Sequence, residues 1–157
     1  MYKSILIPLD GSEYAARAAC EVTQLAGPES KVTLVRVVPS VDDLMGTRQP
    51  DPADDMEKSD DVLAREAYED ELRAAYADLD TVLQMLTRQG LTVASRAETG
   101  EAIERITGVA KEIQADLIII AAHGRSAHST PPKNGVFGRV ADGILKASSS
   151  PVLVVKP

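Results

Sequence analysis

From Leu117 to Ala122 six apolar residues run without a polar interruption, and His123-Gly124-Arg125 then stops the run abruptly. An apolar run of this length suits a strand buried on both faces, and such strands belong to parallel sheets covered by helices. A polar loop containing Pro131 and Pro132 follows, with Gly138 at the expected start of a helix. A buried strand that enters a glycine turn and then a helix N-terminus is a common way to hold a polyanion. The first-turn N–H groups have no partner inside the helix and carry the positive end of its dipole.

The rest of the chain repeats that alternation. Ser4–Leu9 reads as a first strand, with Pro8 tolerated near its end. Asp10-Gly11-Ser12 turns the chain, and Asp10 or Ser12 caps a helix expected over Glu13–Ala26, stopped by Gly27-Pro28. Cys20 falls among Ala16, Ala19 and Thr23 and is expected to be a small buried side chain. The β-branched stretch Val32–Val38 is the second strand, ended by Pro39. A long helix is predicted from Ser59 to Gln89. Its apolar stripe is Tyr68, Leu72, Ala75, Leu79, Leu83 and Leu86, with Arg65, Glu69 and Arg73 paired on the other face. Gly90 closes it, and Leu91–Ala97 is a third strand. Thr99-Gly100-Glu101 starts a helix with Ile103, Ile106, Val109, Ala110 and Ile113 on one side. After the central strand come a helix over Phe137–Ala147 and a last strand, Val152–Val155.

Strands alternating with amphipathic helices fold as an α/β protein, because right-handed crossovers place the helices on both faces of a parallel sheet. In open sheets of that kind ligands bind beyond the carboxyl ends of the strands. Asp10, the Val37-Val38-Pro39 corner and the loop after Ala121 all lie at such ends, so they are expected to be neighbours.

Composition narrows the function classes. With 157 residues, 44% apolar and 26% charged, the chain reads as a single globular domain over 1–157. No apolar run reaches the roughly 18 residues of a membrane span, and the N-terminus leads straight into a strand, which predicts no signal peptide and a cytoplasmic location. Cys20 is alone, which excludes an internal disulfide. The eight carboxylates between Asp42 and Asp61, against Arg48 and Lys58, carry six of the seven net negative charges. That segment, with Pro50 and Pro52, predicts an acidic mobile loop over about 40–58. Its carboxylates lack the spacing of a calcium loop. No basic stripe exists, which argues against nucleic acid as a partner. Nor is there a nucleophile–base pair or a metal constellation, so no catalytic and no metal-binding residue is assigned; His123 and His128 are the two histidines.

Three separated segments resemble the universal stress protein family: the opening Ile-Leu-Ile-Pro-Leu-Asp-Gly-Ser, Ala-Asp-Leu-Ile-Ile-Ile before His123-Gly124-Arg125, and the closing Pro-Val-Leu-Val-Val-Lys-Pro. The resemblance implies a Rossmann-like three-layer sandwich around a five-stranded parallel sheet in the order 3-2-1-4-5. It also implies a cytoplasmic homodimer paired through the final strand, Val152–Val155, and acting in stress response. Many members bind ATP, with magnesium only as the nucleotide's companion, and others do not. Binding members carry Gly-x-x-Gly, nine residues, then Gly-Ser or Gly-Thr. Here Ala121 stands in the first glycine position, Gly124 in the second and Gly138 in the third after thirteen intervening residues, with Arg139 in place of the hydroxyl. Gly135 followed by Val136 is the alternative third position. By resemblance the cofactor-binding residues are Pro8, Leu9, Asp10, Val37, Ile120, Ala121, His123, Gly124, Arg125, Gly138, Arg139 and Val140. Asp10 would hold the nucleoside, Val37 would line the adenine, and Gly138, Arg139 and Val140 would meet the phosphates. Arg139 either contacts phosphate or reaches an internal carboxylate such as Asp10 or Asp142 and fills the cleft. A nucleotide-responsive regulator, a ligand-free interaction protein of the same fold and a slow nucleotide hydrolase are the three competing readings.

Overall fold

The structure, a computed structural model, describes residues 1–46, 60–125 and 137–156. Among the described residues eleven elements follow one another: β1 (Tyr2–Leu9), α1 (Glu13–Cys20), α2 (Val22–Leu25), β2 (Ala26–Val38), α3 (Val41–Gly46), α4 (Asp60–Arg88), β3 (Thr92–Thr99), α5 (Ala102–Glu112), β4 (Leu117–Ala121), α6 (Arg139–Ala147) and β5 (Val152–Val155). The five strands form one sheet in the order β3-β2-β1-β4-β5, every pair parallel.

Alternation along the central strands explains the layers. Ile5, Ile7 and Leu9 of β1, with Leu34 and Ile119, turn to one side and pack on Ala15, Ala18, Leu79, Val82 and Leu86 of α1 and α4. Leu6, Val35, Ile118 and Ile120 turn to the other, against Ile106, Val109 and Ala110 of α5 and Ala141 and Ile144 of α6. Burial on both faces is why Leu117–Ala121 shows no polar alternation.

Several expectations need correction. The helix expected over Glu13–Ala26 stops at Cys20 and restarts at Val22, and β2 begins at Ala26 instead of Val32. Gly27 and Pro28 lie within β2, beside an irregular register in which Tyr2 pairs with Ala26 but Ser4 with Lys31. Proline is tolerated where the ladder is already interrupted. Cys20 is exposed, its thiol donating to the Ala16 carbonyl at 3.5 Å. Val41–Gly46 is helical, so the expected mobile loop is wrong at its start; Ser40 caps that turn, its hydroxyl and N–H both donating to Asp43. The rest of that loop lies outside the described residues. On α4, Arg65 pairs with Asp61 and Arg73 with Asp70 in place of the expected Arg65–Glu69–Arg73 ladder. The described part of the helix predicted from Ser59 begins at Asp60, Ser59 lying outside the described residues; the helix predicted over Phe137–Ala147 starts at Arg139, and β3 runs two residues past Ala97.

The two sheet margins differ. On β3, Arg96 pairs with Glu98 of its own strand and Glu112 of α5. β5 is four apolar residues, Leu153 among the exposed large side chains. Among the described residues no helix is long and apolar enough to cross a membrane.

Candidate functional site

The carboxyl ends of β1, β2 and β4 meet around a cleft of about 310 Å³. All twelve residues proposed from the sequence line it: Pro8, Leu9 and Asp10 from β1 and its turn, Val37 from β2, Ile120, Ala121, His123, Gly124 and Arg125 from β4 and its loop, and Gly138, Arg139 and Val140 from the start of α6. Ala15, Ala102, Ile106, Ala122 and Ala141 complete the wall. Four of these five are small or apolar positions on the inner faces of α1, α5 and α6. Sequence reading placed Ile106 on an apolar helix face and singled out none of the other three, and only the helix packing shows that they border the opening.

Asp10 does more than cap a helix. The cap of α1 is Ser12, whose hydroxyl accepts from the Ala15 N–H at 3.2 Å. Asp10 Oδ1 accepts from the Ser12 N–H at 2.9 Å, while Oδ2 accepts from the Arg125 N–H at 2.8 Å. One carboxylate thus ties the turn after β1 to the loop after β4. Gly124 permits that approach: a Cβ there would fall 2.5 Å from Asp10 Oδ2. Ala121 has a negative φ, so its methyl group is accommodated where the family pattern has glycine.

Gly138 is the N-cap of α6, and no side chain caps it. Its N–H donates to the Ala122 carbonyl at 2.8 Å, and a Cβ on it would stand 3.9 Å from the Gly124 nitrogen. The glycine turn and the helix onset are therefore adjacent, and among the described residues no side chain caps the first turn of α6. Gly135, Val136 and His128 lie outside the described residues, as does the polar loop with Pro131 and Pro132.

Arginines surround this centre, each facing carboxylates. Arg139 reaches neither Asp10 nor Asp142. Its Nη1 donates to Glu101 Oε1 at 3.1 Å, and Asp142 takes Lys146 at 2.6 Å. The Glu101 carboxyl titrates below its ordinary range because it accepts the Glu104 N–H, with Arg139 adding to the effect. Arg125 Nη1 stands 3.7 Å from Glu71 Oε2. Sequence reading missed a third arginine, Arg36 on β2, which is 2% exposed. Its Nη1 lies 3.0 Å from Asp78 Oδ2 and its Nη2 3.9 Å from Glu71 Oε2, both on α4. Burial lowers its pKa and Asp78 opposes that most strongly. Nε and Nη1 make no hydrogen bond of good geometry among the described residues. A signal existed: Glu71 and Asp78 are seven apart on the face of α4 that carries the buried Ala75 and Leu79.

Among the described residues no cluster of three or more His, Cys, Asp or Glu side chains could hold a metal ion. The arrangement offers backbone donors and guanidinium groups for an anion, beside an apolar wall for a flat ring.

Comparison with known proteins agrees on the architecture. The profile of the universal stress protein family matches residues 1–156. The universal stress protein Sll1654 of Synechocystis is 30% identical over 156 residues, 99% of this chain and 86% of that protein. The solved structure of hypothetical protein MJ0577 superposes with a TM-score of 0.79 at 25% identity, covering 100% of this chain and 97% of that one. A universal stress protein from Archaeoglobus fulgidus, in complex with dAMP, shares the fold at 17% identity and a TM-score of 0.62, over 99% and 98% of the two chains.

Proposed function

The chain belongs to the universal stress protein family, and from that premise we propose that it is a cytoplasmic regulatory homodimer that binds an adenine nucleotide, ATP, in the cleft beside Gly124. One observation carries the reading: the Gly124 turn, the uncapped onset of α6 and Asp10 converge on a single open cleft. Its volume of about 310 Å³ lies within the range of small-molecule sites, and no described side chain plugs it. That the Archaeoglobus protein of the same fold holds dAMP is a precedent for the ligand class.

In this reading Pro8, Leu9, Val37 and Ile120 flank the adenine and Asp10 holds the nucleoside. The amides of Gly124 and of the first turn of α6 take the phosphates, with His123, Ala121 and Val140 shaping the edges. Magnesium enters only with the nucleotide. No residue is assigned a catalytic role. β5 supports the dimer: it is an open edge with apolar side chains on the margin, which a second copy can cover.

Equilibrium titration of ATP into wild type and Gly124→Val tests the ligand. The expected result is micromolar to millimolar binding by wild type, lost in the variant, because a β-branched side chain displaces Asp10 and obstructs the turn. Wild type that binds nothing at millimolar ATP would instead support an interaction protein of the same fold.

A further inference from the structure

Both arginines at the rim of the cleft are occupied by carboxylates of the protein itself, and both carboxylates have another partner. Glu101 presents Oε1 to Arg139 at 3.1 Å while its Oε2 accepts the Glu104 N–H at 2.9 Å, as the cap of α5. Glu71 faces Arg125 at 3.7 Å and the buried Arg36 at 3.9 Å. If either rim arginine swings away, its carboxylate still has a second contact in the protein. The arginines are the more exposed halves: Arg139 is 72% and Arg125 56% exposed against 47% for Glu101 and 35% for Glu71, and each carboxylate has a second contact, Glu101 on the Glu104 N–H and Glu71 beside Arg36. Their backbones are anchored, Arg125 through its N–H on Asp10 and Arg139 in the first turn of α6.

We infer that Arg125 and Arg139 are exchangeable phosphate clamps, held outward by Glu71 and Glu101 until the phosphates of a ligand replace those carboxylates, so that the cleft selects nucleotides by phosphate number. This rests on the nucleotide reading above and deepens it. The energetic order favours the exchange. Exposed carboxylate pairs contribute little, whereas a guanidinium on a phosphate makes charge-assisted, often paired hydrogen bonds. Asp10, held at the cleft wall, repels anions, so phosphates gain there only where an arginine engages them. A polyphosphate reaches both clamps, a monophosphate at most one, and a nucleoside neither.

Calorimetric titration of ATP, ADP, AMP and adenosine into wild type, Glu101→Gln and Arg139→Gln tests this. Glutamine retains an oxygen for the Glu104 N–H, so the cap of α5 survives. Wild-type affinity is expected to fall in the order ATP, ADP, AMP, adenosine. Glu101→Gln tightens ATP by about two- to fivefold, the worth of an exposed ion pair, and leaves adenosine unchanged. Arg139→Gln weakens ATP by about tenfold and flattens the series. Binding that is equal across the four ligands, or a Glu101→Gln protein that binds ATP as wild type does, overturns the clamps and keeps the nucleotide site. Failure of every variant to bind any of the four overturns both.

Discussion

Gly11→Ala is expected to destabilise the protein several times more than Gly90→Ala, although both glycines sit in the left-handed region. Gly11 has φ +79° and Gly90 has φ +85°, so the backbone penalty is shared. A Cβ on Gly90 meets nothing within 4 Å, which makes that site a reference for the conformational term alone, about 1 kcal/mol. A Cβ on Gly11 would lie 2.5 Å from Arg36 Nη1 and 2.7 Å from Asp78 Oδ2. The guanidinium is 3% exposed and cannot retreat into solvent. Breaking a buried ion pair costs about 3–5 kcal/mol. Because Asp78 is 38% exposed and recovers part of its hydration, a further 2–3 kcal/mol is the reasonable increment. At about 2–4 °C per kcal/mol for a chain of this size, Gly90→Ala lowers Tm by about 3 °C and Gly11→Ala by roughly 10 °C. Urea denaturation of both variants, repeated on an Arg36→Met background, separates the terms. With the guanidinium gone, Gly11→Ala should cost no more than Gly90→Ala. Equal losses for the two glycine variants in the parent, or coupling between positions 11 and 36 below about 0.5 kcal/mol, would refute the account.

Two further outcomes follow from other parts of the molecule. Val154→Lys places a charge on β5 and should shift sedimentation toward the monomer; a variant that sediments as wild type does removes β5 as the contact. The Glu101 carboxyl titrates below its ordinary value of 4.5 in the folded chain, chiefly through the Glu104 N–H. Its stabilisation is therefore complete above about pH 4.5 and is lost as pH falls through the lower folded value. The Tm difference between wild type and Glu101→Gln should accordingly be constant near neutrality and shrink on acidification. A difference that grows in acid contradicts the cap.

What the sequence disclosed, it disclosed through periodicity and punctuation. Leu117–Ala121 announced a doubly buried strand, and that strand carries the loop at the heart of the cleft. Glu101, Gly124 and Gly138 were legible as a helix start, a turn and a helix start, because such roles depend on a few neighbouring residues. The strand order came through family likeness, since alternation alone does not say which strands are central. Partners distant in the chain were the harder part. Arg139 reads from the sequence either as a phosphate contact or as the partner of an internal carboxylate such as Asp10 or Asp142; the carboxylate it meets is Glu101, 38 residues earlier, because the onset of α6 lies beside that of α5. Arg36 looked like one polar residue in a valine-rich strand; its burial depends on α4 crossing that face with two carboxylates aligned. At the start of β2, local propensity read Gly27-Pro28 as a stop, and pairing with Tyr2 overrode it.

The contrast between the sheet's margins bears on how many chains the proposed pairing through β5 could join. β3 exposes a guanidinium locked between two acids, a surface poorly suited to accept another strand, whereas β5 offers bare aliphatic residues. If copies pair through β5 as proposed, a twofold axis turns their guarded borders outward, and the array would close at a pair instead of lengthening into a ribbon.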